Sequence, residues 1–292
     1  MADMEIRVQP GRYIVAVSGG VDSVVLLDLL ARQSDLQLVV AHFDHGIRPD
    51  STQDMEFVKQ LAAHYSLPFV TERVELGSSA SEEAARQARY DFLRRAQADC
   101  QAQAMITAHH QDDVLETAIF NLLRGTGRRG LTSLRSTKDI VRPLLDTPKA
   151  DLKAYAIQRK LSWREDSTNQ DDRYARNYIR HQVLVCFDAG ARQRLLTLIK
   201  RQQVVNDELD ELLAAHTTEL DRRWFASLPH VVAKEVMASW LRNNGPANFD
   251  RRTIERLTVQ AKTKPVGKQF DVLNGYKIAV RPQSLALLAP ER

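Results

Sequence analysis

The sequence predicts an α/β fold, with a doubly wound, mostly parallel five-stranded sheet, followed by a smaller helical domain with a terminal β-hairpin. Two observations lead to this prediction. Short apolar runs alternate with helix-length segments through the first 145 residues, a pattern typical of βαβ units. From about residue 190 the pattern changes to helices alone, with one hairpin signal near the end. We therefore expect two domains, residues 1–185 and 186–292.

The five strands are predicted where strand-forming apolar residues cluster, at Tyr13–Val17, Leu36–Phe43, Phe69–Val74, Ala104–Ala108 and Ile140–Leu144. Amphipathic helix patterns lie between them, near residues 22–33, 52–65, 81–97 and 111–123. In the second domain, helices are predicted near 192–216, 230–243 and 250–262. Asn274-Gly275 separates two alternating apolar runs and predicts a hairpin, after which a third strand is expected at 284–288.

Length and composition exclude several classes of protein. No stretch of 18 apolar residues occurs, so we expect no membrane span. Cys100 and Cys186 lie far apart, which argues against a disulfide scaffold or a thiolate metal cluster and favours a cytoplasmic location. Residues 186–292 carry 17 Lys and Arg against 12 Asp and Glu. This basic excess fits either a solvated surface or contact with a nucleic-acid backbone.

The first predicted strand ends at the segment Ser18-Gly19-Gly20-Val21-Asp22-Ser23, and a helix pattern begins directly after it. Such a turn presents unpaired backbone N–H groups at a helix N-terminus, where the helix dipole favours an anion. Asp22 would repel a phosphate unless a cation lay between them. The segment therefore predicts a nucleotide and Mg²⁺ site rather than only a tight turn with a serine cap. It is not a Walker A loop, because it lacks Gly-Lys-Ser/Thr.

Polar residues follow two further strands, and ligands of doubly wound sheets bind beyond the carboxyl ends of strands. His42 closes the second strand, where we expect the wall of a nucleotide pocket; a metal site and an ordinary polar loop are the alternatives. After the fourth strand, His109 and His110 precede three carboxylates that include Asp113 and Glu116. The helix dipole explains one or two acidic residues in a first turn, but not the adjacent histidines. We therefore expect this segment to be functional.

Arginines recur in three later segments. Arg86 lies on the third predicted helix, where a salt-bridged solvent face is the simpler explanation for one helix alone. Arg176 and Arg180 share one face of a later helix. Between the fourth helix and the fifth strand, a flexible, glycine-rich cationic loop fits a lid over phosphates or RNA. Its arginines are Arg124, Arg128 and Arg129.

Together these segments resemble the tRNA(Ile)-lysidine synthetases, a family of the N-type ATP pyrophosphatases with a Rossmann-like fold and a PP-loop, which the turn described above resembles. The matching blocks are, in order, Ser18–Ser23, His42–Arg48, Glu83–Tyr90, His109–Thr117, Arg124–Gly130, Arg142–Leu145 and Arg176–Arg180. They span most of residues 12–181 and are specific jointly rather than singly. The remaining part of the chain resembles the first C-terminal domain of the family, which indicates a short form with one such domain.

The resemblance implies an enzyme that ligates free L-lysine onto C2 of cytidine 34 in the CAU anticodon of tRNA(Ile). ATP would adenylate the C2 oxygen with loss of pyrophosphate, and the lysine amine would then displace AMP to give lysidine, which reads AUA codons. Residues 186–292 would bind the tRNA. The sequence is also compatible with a homodimer.

The resemblance also implies roles for individual residues. Asp22 would hold Mg²⁺, Asp113 and Glu116 the lysine ammonium, and Arg176 or Arg180 the lysine carboxylate. The residues implied for ATP binding are Ser18, Gly19, Gly20, Val21, Asp22, Ser23 and His42. Those implied for catalysis are Asp22, His109 and Asp113, with the base left open between His109 and a carboxylate. Those implied for tRNA or phosphate are Arg86, Arg124, Arg128 and Arg129.

Three other functions compete with this one. A PP-loop tRNA thiolase relies on cysteine thiolates, for which Cys100 and Cys186 are poorly placed. A small-molecule adenylating ligase of the same superfamily would not need a basic appended domain. A non-enzymatic RNA-binding module would explain the basic domain but not the residues from Ser18 to Thr117.

Overall fold

The computed structural model describes residues 4–46, 51–75, 77, 82–165, 175–215, 220–246 and 249–290. The chain divides into two compact units, Met1–Lys200 and Arg201–Arg292. This division falls after the expected boundary at residue 185. The reason lies in helix α8 (Ala189–Ala215), whose Leu196 and Ile199 pack into a core cluster of the first unit together with Leu115 and Ile119.

The first unit contains a five-stranded, all-parallel sheet in the order β3-β2-β1-β4-β5, which confirms the predicted α/β class. The strands are β1 Gly11–Ala16, β2 Leu36–Asp44, β3 Phe69–Arg73, β4 Ala104–Ile106 and β5 Ile140–Val141. The fifth strand is shorter than predicted because Pro143 has no N–H to extend the ladder and a turn begins there.

The described helices of this unit, before α8, are α1 Val21–Ala31, α2 Ser51–His64, α3 Glu82–Asp99, α4 Gln111–Leu123, α5 Arg128–Leu131, α6 Lys149–Gln158 and α7 Ala175–Tyr178. The expectation that the first helix is amphipathic was wrong. Residues 21 and 23–30 of α1 are all buried, since the helix packs between the sheet and α6. Burial on nearly every side of a helix is typical of the interior of a protein.

A buried carboxylate fixes α1 in this position. Asp28 accepts hydrogen bonds from the hydroxyls of Tyr65 at 2.8 Å and Tyr155 at 2.6 Å, and from Nε of Arg32 at 3.0 Å. Because a buried charge is costly unless it is paired, the network fully occupies this carboxylate. It ties the helix that follows the Ser18–Ser23 turn to α6 and to the end of α2.

The second unit combines helices with an antiparallel sheet in the order β6-β9-β8-β7. Its further elements are β6 Leu220–Asp221, α9 Arg222–Ser227, α10 His230–Asn244, α11 Arg251–Thr263, β7 Gln269–Asp271, β8 Lys277–Val280 and β9 Ser284–Leu288. Asn274 and Gly275 both have positive φ, 51° and 79°, and the predicted hairpin is confirmed. The two-residue strand β6 was not predicted. No helix in the described ranges has the length and hydropathy of a membrane span.

Candidate active site

The conformation of the turn between β1 and α1 is fixed by a glycine with positive φ and by hydrogen bonds within the turn. Gly19 has φ of +93°, a conformation that favours glycine, and a Cβ there would lie 3.4 Å from the Phe57 side chain. The Ser23 hydroxyl donates to the Gly20 carbonyl oxygen at 2.9 Å and accepts from the Ser18 backbone N–H at 3.2 Å. The Val21 side chain is buried in the core, so only its backbone is available to a ligand. We conclude that the turn is ordered by its two serines.

A cavity of about 390 Å³ opens at the carboxyl ends of β1, β2 and β4. This volume is in the range of small-molecule sites. The predicted site residues that line it are Ser18, Asp22, Ser23, His42, His109 and Asp113. The rule that ligands of doubly wound sheets bind beyond the strand ends is therefore matched by the geometry.

Asp22 lies between two basic side chains. Its Oδ2 is 3.5 Å from Nζ of Lys149 and 3.6 Å from Nε2 of His110. Burial would raise the pKa of the Asp22 carboxyl, but His110 and Lys149 outweigh burial and lower it, so the group is ionised at neutral pH. The other carboxylate oxygen, Oδ1, is buried and has no hydrogen-bond partner among the residues that the structure describes. That oxygen is a candidate ligand for a cation.

The donor set fits Mg²⁺ shared with phosphates. Mg²⁺ is usually bound by one or two carboxylates together with substrate phosphate oxygens and water, rather than by a protein cage. Among the described residues, no group of three or more His, Cys, Asp or Glu side chains could hold a metal by itself. Asp22, with one unpaired oxygen, supplies the single carboxylate that such a shared site requires.

The two carboxylates expected to bind lysine have different environments. Asp113 lines the cavity, and its Oδ2 accepts from the His110 backbone N–H at 2.8 Å. Glu116 is only 1% exposed and accepts two hydrogen bonds from Arg180, at 2.6 and 2.9 Å. The pKa of the Glu116 carboxyl is raised, chiefly by burial, while the two-point pair with Arg180 acts in the opposite direction. Of these two carboxylates, Asp113 is therefore the one that faces the cavity.

His42 is buried at the cavity wall and is neutral. Its Nδ1 lies 2.9 Å from the Val17 carbonyl oxygen, which can only accept, so Nδ1 carries the proton and Nε2 is left as an acceptor. Burial lowers the pKa of this imidazole, although the Val17 carbonyl and the carboxylates of Asp44 and Asp54 act in the opposite direction. An uncharged ring at this strand end suits contact with a nucleobase.

Arginines lie close to His109 and Tyr90, which also line the cavity. The guanidinium carbons of Arg86 and Arg89 lie 4.8 and 5.5 Å from the Tyr90 ring centroid. Burial would raise the pKa of the Tyr90 phenol, but Arg86, Arg89 and Arg142 outweigh it and the pKa is lowered. Burial and then Arg142, Arg89, Arg86 and Arg176, in that order, hold the pKa of His109 well below its usual value. The wall is therefore strongly cationic.

The remaining predicted arginines do not line the cavity. Arg124 is exposed and stacks on Phe120, with its guanidinium carbon 5.2 Å from the ring centroid. Arg128 and Arg129 lie on the short helix α5, and Asn121 donates to the Gly130 carbonyl oxygen at 2.8 Å. The predicted flexible loop thus contains a helical turn. Residues 47 and 48, at the end of the second matching block, lie outside the described residues.

Sequence reasoning assigned no individual role to four basic residues that the fold brings to this site: Lys149, His110, Arg89 and Arg142. A signal for two of them existed. Arg142 and Lys149 follow β5, and the carboxyl ends of parallel strands meet at one edge of the sheet. Arg89 lies in the middle of α3, where its spacing resembles that of any solvent-facing arginine.

Comparison with known proteins is consistent with this geometry. A family model described as a PP-loop domain matches residues 2–186. A tRNA(Ile)-lysidine synthase of Thermus thermophilus is 37% identical over 281 residues, covering 93% of this chain and 53% of that protein. The tRNA(Ile)-lysidine synthase of Haemophilus influenzae is 32% identical over 321 residues, covering 99% of this chain and 73% of that protein.

The chain spans about half the length of the Thermus relative. Among solved structures, the U34-tRNA thiolase NcsA from Methanococcus maripaludis, solved with its [4Fe-4S] cluster, superposes with a TM-score of 0.52 at 15% identity. That match covers 66% of this chain and 73% of the thiolase. At this identity the likeness shows a shared fold and nothing further.

Proposed function

This chain belongs to the tRNA(Ile)-lysidine synthase family, and we propose that it uses ATP to attach free L-lysine to C2 of cytidine 34 in the CAU anticodon of tRNA(Ile). The products are lysidine, AMP and pyrophosphate, and the modified tRNA reads AUA codons. One observation carries the proposal. A single cavity brings together Ser18 and Ser23 of the turn between β1 and α1, the carboxylate of Asp22 and that of Asp113.

The first half-reaction is activation of cytidine. The C2 oxygen attacks the α-phosphorus of ATP, the bond between the α-phosphorus and the bridging oxygen breaks, and pyrophosphate leaves. The backbone N–H groups at the start of α1 would bind the leaving phosphates, and Lys149, 3.5 Å from Asp22, would add a positive charge. Asp22 would hold Mg²⁺, which neutralises phosphate charge when bound. The neutral ring of His42 would contact the nucleobase of ATP.

The second half-reaction needs a site for lysine. Asp113 would receive the ammonium, because it is the carboxylate of the pair that faces the cavity. Glu116 would contribute indirectly, because its carboxylate holds Arg180 in position through their hydrogen bonds. Arg176 or Arg180 would bind the lysine carboxylate, and the charge of Arg176 acts on His109 at the same wall.

The second unit is proposed to bind the tRNA backbone. Several of its basic side chains are exposed, and they are Arg251, Arg252, Lys268, Lys277 and Arg281. Neutralising phosphates with such residues releases counterions, so tRNA affinity should fall steeply with salt concentration. Arg124, which is exposed in the first unit, and the neighbouring Arg128 and Arg129 are proposed to contact the anticodon loop.

A transfer assay tests the proposal. The full chain is incubated with ATP, Mg²⁺, radiolabelled lysine and unmodified tRNA transcripts. We expect label on the isoleucine transcript with a CAU anticodon and none on the methionine transcripts with the same anticodon. Absence of label from the isoleucine transcript, or equal label on the methionine transcripts, would contradict the substrate assignment. Omission of ATP is the control for adventitious labelling.

A further inference from the structure

The hydroxyl of Thr107 lies 2.8 Å from Nδ1 of His109. Thr107 follows β4, is 6% exposed, and its backbone N–H donates to the Val141 carbonyl oxygen at 3.1 Å. Within the described part of the chain, the Thr107 hydroxyl makes no other hydrogen bond. The proton in this contact therefore belongs either to the hydroxyl or to the ring nitrogen, and the two cases leave different groups satisfied.

The ring-donor case leaves a hydroxyl hydrogen without a partner. If Nδ1–H donated to Thr107, the hydroxyl hydrogen of Thr107 would have no acceptor among the described residues, although Thr107 lines the cavity and is only 6% exposed. If the hydroxyl donates to Nδ1, both atoms are satisfied by one hydrogen bond, and a neutral ring then carries its proton on Nε2. A buried unsatisfied donor costs about 1–3 kcal/mol, so the second arrangement is favoured.

We propose that Thr107 holds His109 in the tautomer with the proton on Nε2, so that His109 donates a hydrogen bond into the cavity rather than acting as the base toward lysine. Thr107 is then a positioning residue. Thr107 acts through His109, whose Nε2–H would donate to a substrate oxygen that gains negative charge during adenylation or lysine transfer. This inference rests on the proposed function for its catalytic meaning, but not for the tautomer itself.

The surroundings of His109 support a neutral donor. His109 lines the cavity, and positive side chains of Arg86, Arg89, Arg142 and Arg176 lie near it. Burial and these charges lower the pKa of His109 well below its usual value, which keeps the ring uncharged and makes it a weak base. A fixed neutral N–H can still stabilise an oxyanion, and one such donor is typically worth a factor of about 10² to 10³ in kcat.

The base in the second half-reaction is then a carboxylate. As the lysine nitrogen bonds to C2, the bond from C2 to the AMP oxygen breaks, and a proton must leave the nitrogen. Asp113 lines the same cavity and is the acceptor that this inference assigns. The proposal thus separates two roles at the start of α4: His109 as donor to an oxygen, and Asp113 as acceptor from a nitrogen.

The tautomer can be read directly, without substrates. The full chain is labelled with ¹⁵N-histidine, and the His109 ring signals are assigned at pH 7 from those missing in His109→Gln. We expect Nε2 to show the shift of a protonated nitrogen and Nδ1 that of an unprotonated one. Thr107→Ser should keep this pattern and Thr107→Val should lose it. A protonated Nδ1 in the unmodified chain would overturn the proposal, whether or not the Thr107 variants fold.

A pair of substitutions tests the donor role. Gln keeps an N–H donor but cannot act as a base, so His109→Gln should retain at least about a tenth of kcat, whereas His109→Leu should lose about 10²-fold or more. His64→Gln, at an exposed position of α2, is the control for the loss of a histidine. If His109→Gln is as inactive as His109→Leu, the hydrogen-bond donor role proposed for His109 is wrong. If the unmodified chain makes no lysidine, the proposed function fails while the tautomer measurement stands.

Discussion

Arg180 donates to both carboxylate oxygens of Glu116, from Nε at 2.6 Å and from Nη2 at 2.9 Å. The Glu116 side chain is 1% exposed, whereas the Arg180 side chain is 29% exposed, so the carboxylate end of the pair is the one removed from water. The pair joins α4 to the π-helical turn Ile179–Val183, and Ile179 packs into the same cluster as Leu115. The ion pair therefore stabilises the first unit and also neutralises the charge of Glu116 near the cavity.

Removing one member of this pair should be strongly destabilising. Arg180→Met leaves the Glu116 carboxylate buried and unpaired, at an expected cost of about 3–5 kcal/mol in the free energy of unfolding. The matched control is Arg95→Met, which breaks the exposed pair with Glu72 and should cost about 1 kcal/mol or less. Urea denaturation measures both, and equal losses would show that the Glu116 pair is effectively solvated.

Neutralising Asp22 should remove activation and spare RNA binding. Asp22→Asn keeps the size of the side chain but not the charge that would hold Mg²⁺, so ATP–pyrophosphate exchange should fall by a factor of about 10² or more. Filter binding should show unchanged tRNA affinity. Asp151→Asn, at an exposed position in the first turn of α6, is the control. Exchange that survives in Asp22→Asn would refute the metal role.

Lys149 should contribute to the binding of the ATP phosphates rather than to the binding of lysine. Its Nζ is 3.5 Å from Asp22, whereas Lys153, one turn later on α6, is exposed. Lys149→Ala should lower kcat/KM for ATP by a factor of about 10 to 100, as expected for the loss of one charged contact to phosphate. The KM for lysine should not change. A similar effect of Lys153→Ala would attribute the loss to general charge instead.

The buried ring of His42 should make stability depend on pH. Its folded-state pKa lies below the unfolded value of 6.5, chiefly because of burial, so the unfolded chain binds more protons as the pH falls. Stability should therefore decrease below pH 6.5, by at most about 1.4 kcal/mol per pH unit from this group. His42→Asn should have a shallower slope between pH 6.5 and 5 in chemical denaturation. Parallel slopes would mean that the pKa of His42 is not depressed.

Two truncations should separate folding from tRNA binding. A chain ending at residue 185 lacks Leu196 and Ile199, so the first unit should melt at a lower temperature than in a chain ending at residue 215. Both pieces should lose at least about tenfold in tRNA affinity, because the basic second unit is absent or incomplete. Undiminished affinity would remove the role assigned to the charge of that unit.

Local chemistry made part of this site predictable. The Ser18–Ser23 turn depends on glycine conformation and on a helix start, both of which are visible in a short segment. The pairing of Glu116 with Arg180 joins residues 64 positions apart, and no periodicity indicates it. The strand-end rule would have placed Lys149 at the cavity edge, but not its distance from Asp22. Side-chain partners across elements are set by packing, which the sequence pattern does not specify.

The position of β1 in the middle of the sheet has a consequence for synthesis on the ribosome. Tyr13 pairs with Ala104, which is made roughly 90 residues later, or about 5–20 s at usual rates of translation. During that interval the Ser18–Ser23 turn has been synthesised, but β4, Asp113 and Lys149 have not. A nascent chain therefore presents a glycine-rich turn and an open strand edge before it can hold a nucleotide. ATP binding by the nascent chain should therefore be detectable only late in synthesis, and it would indicate that the sheet of the first unit has formed.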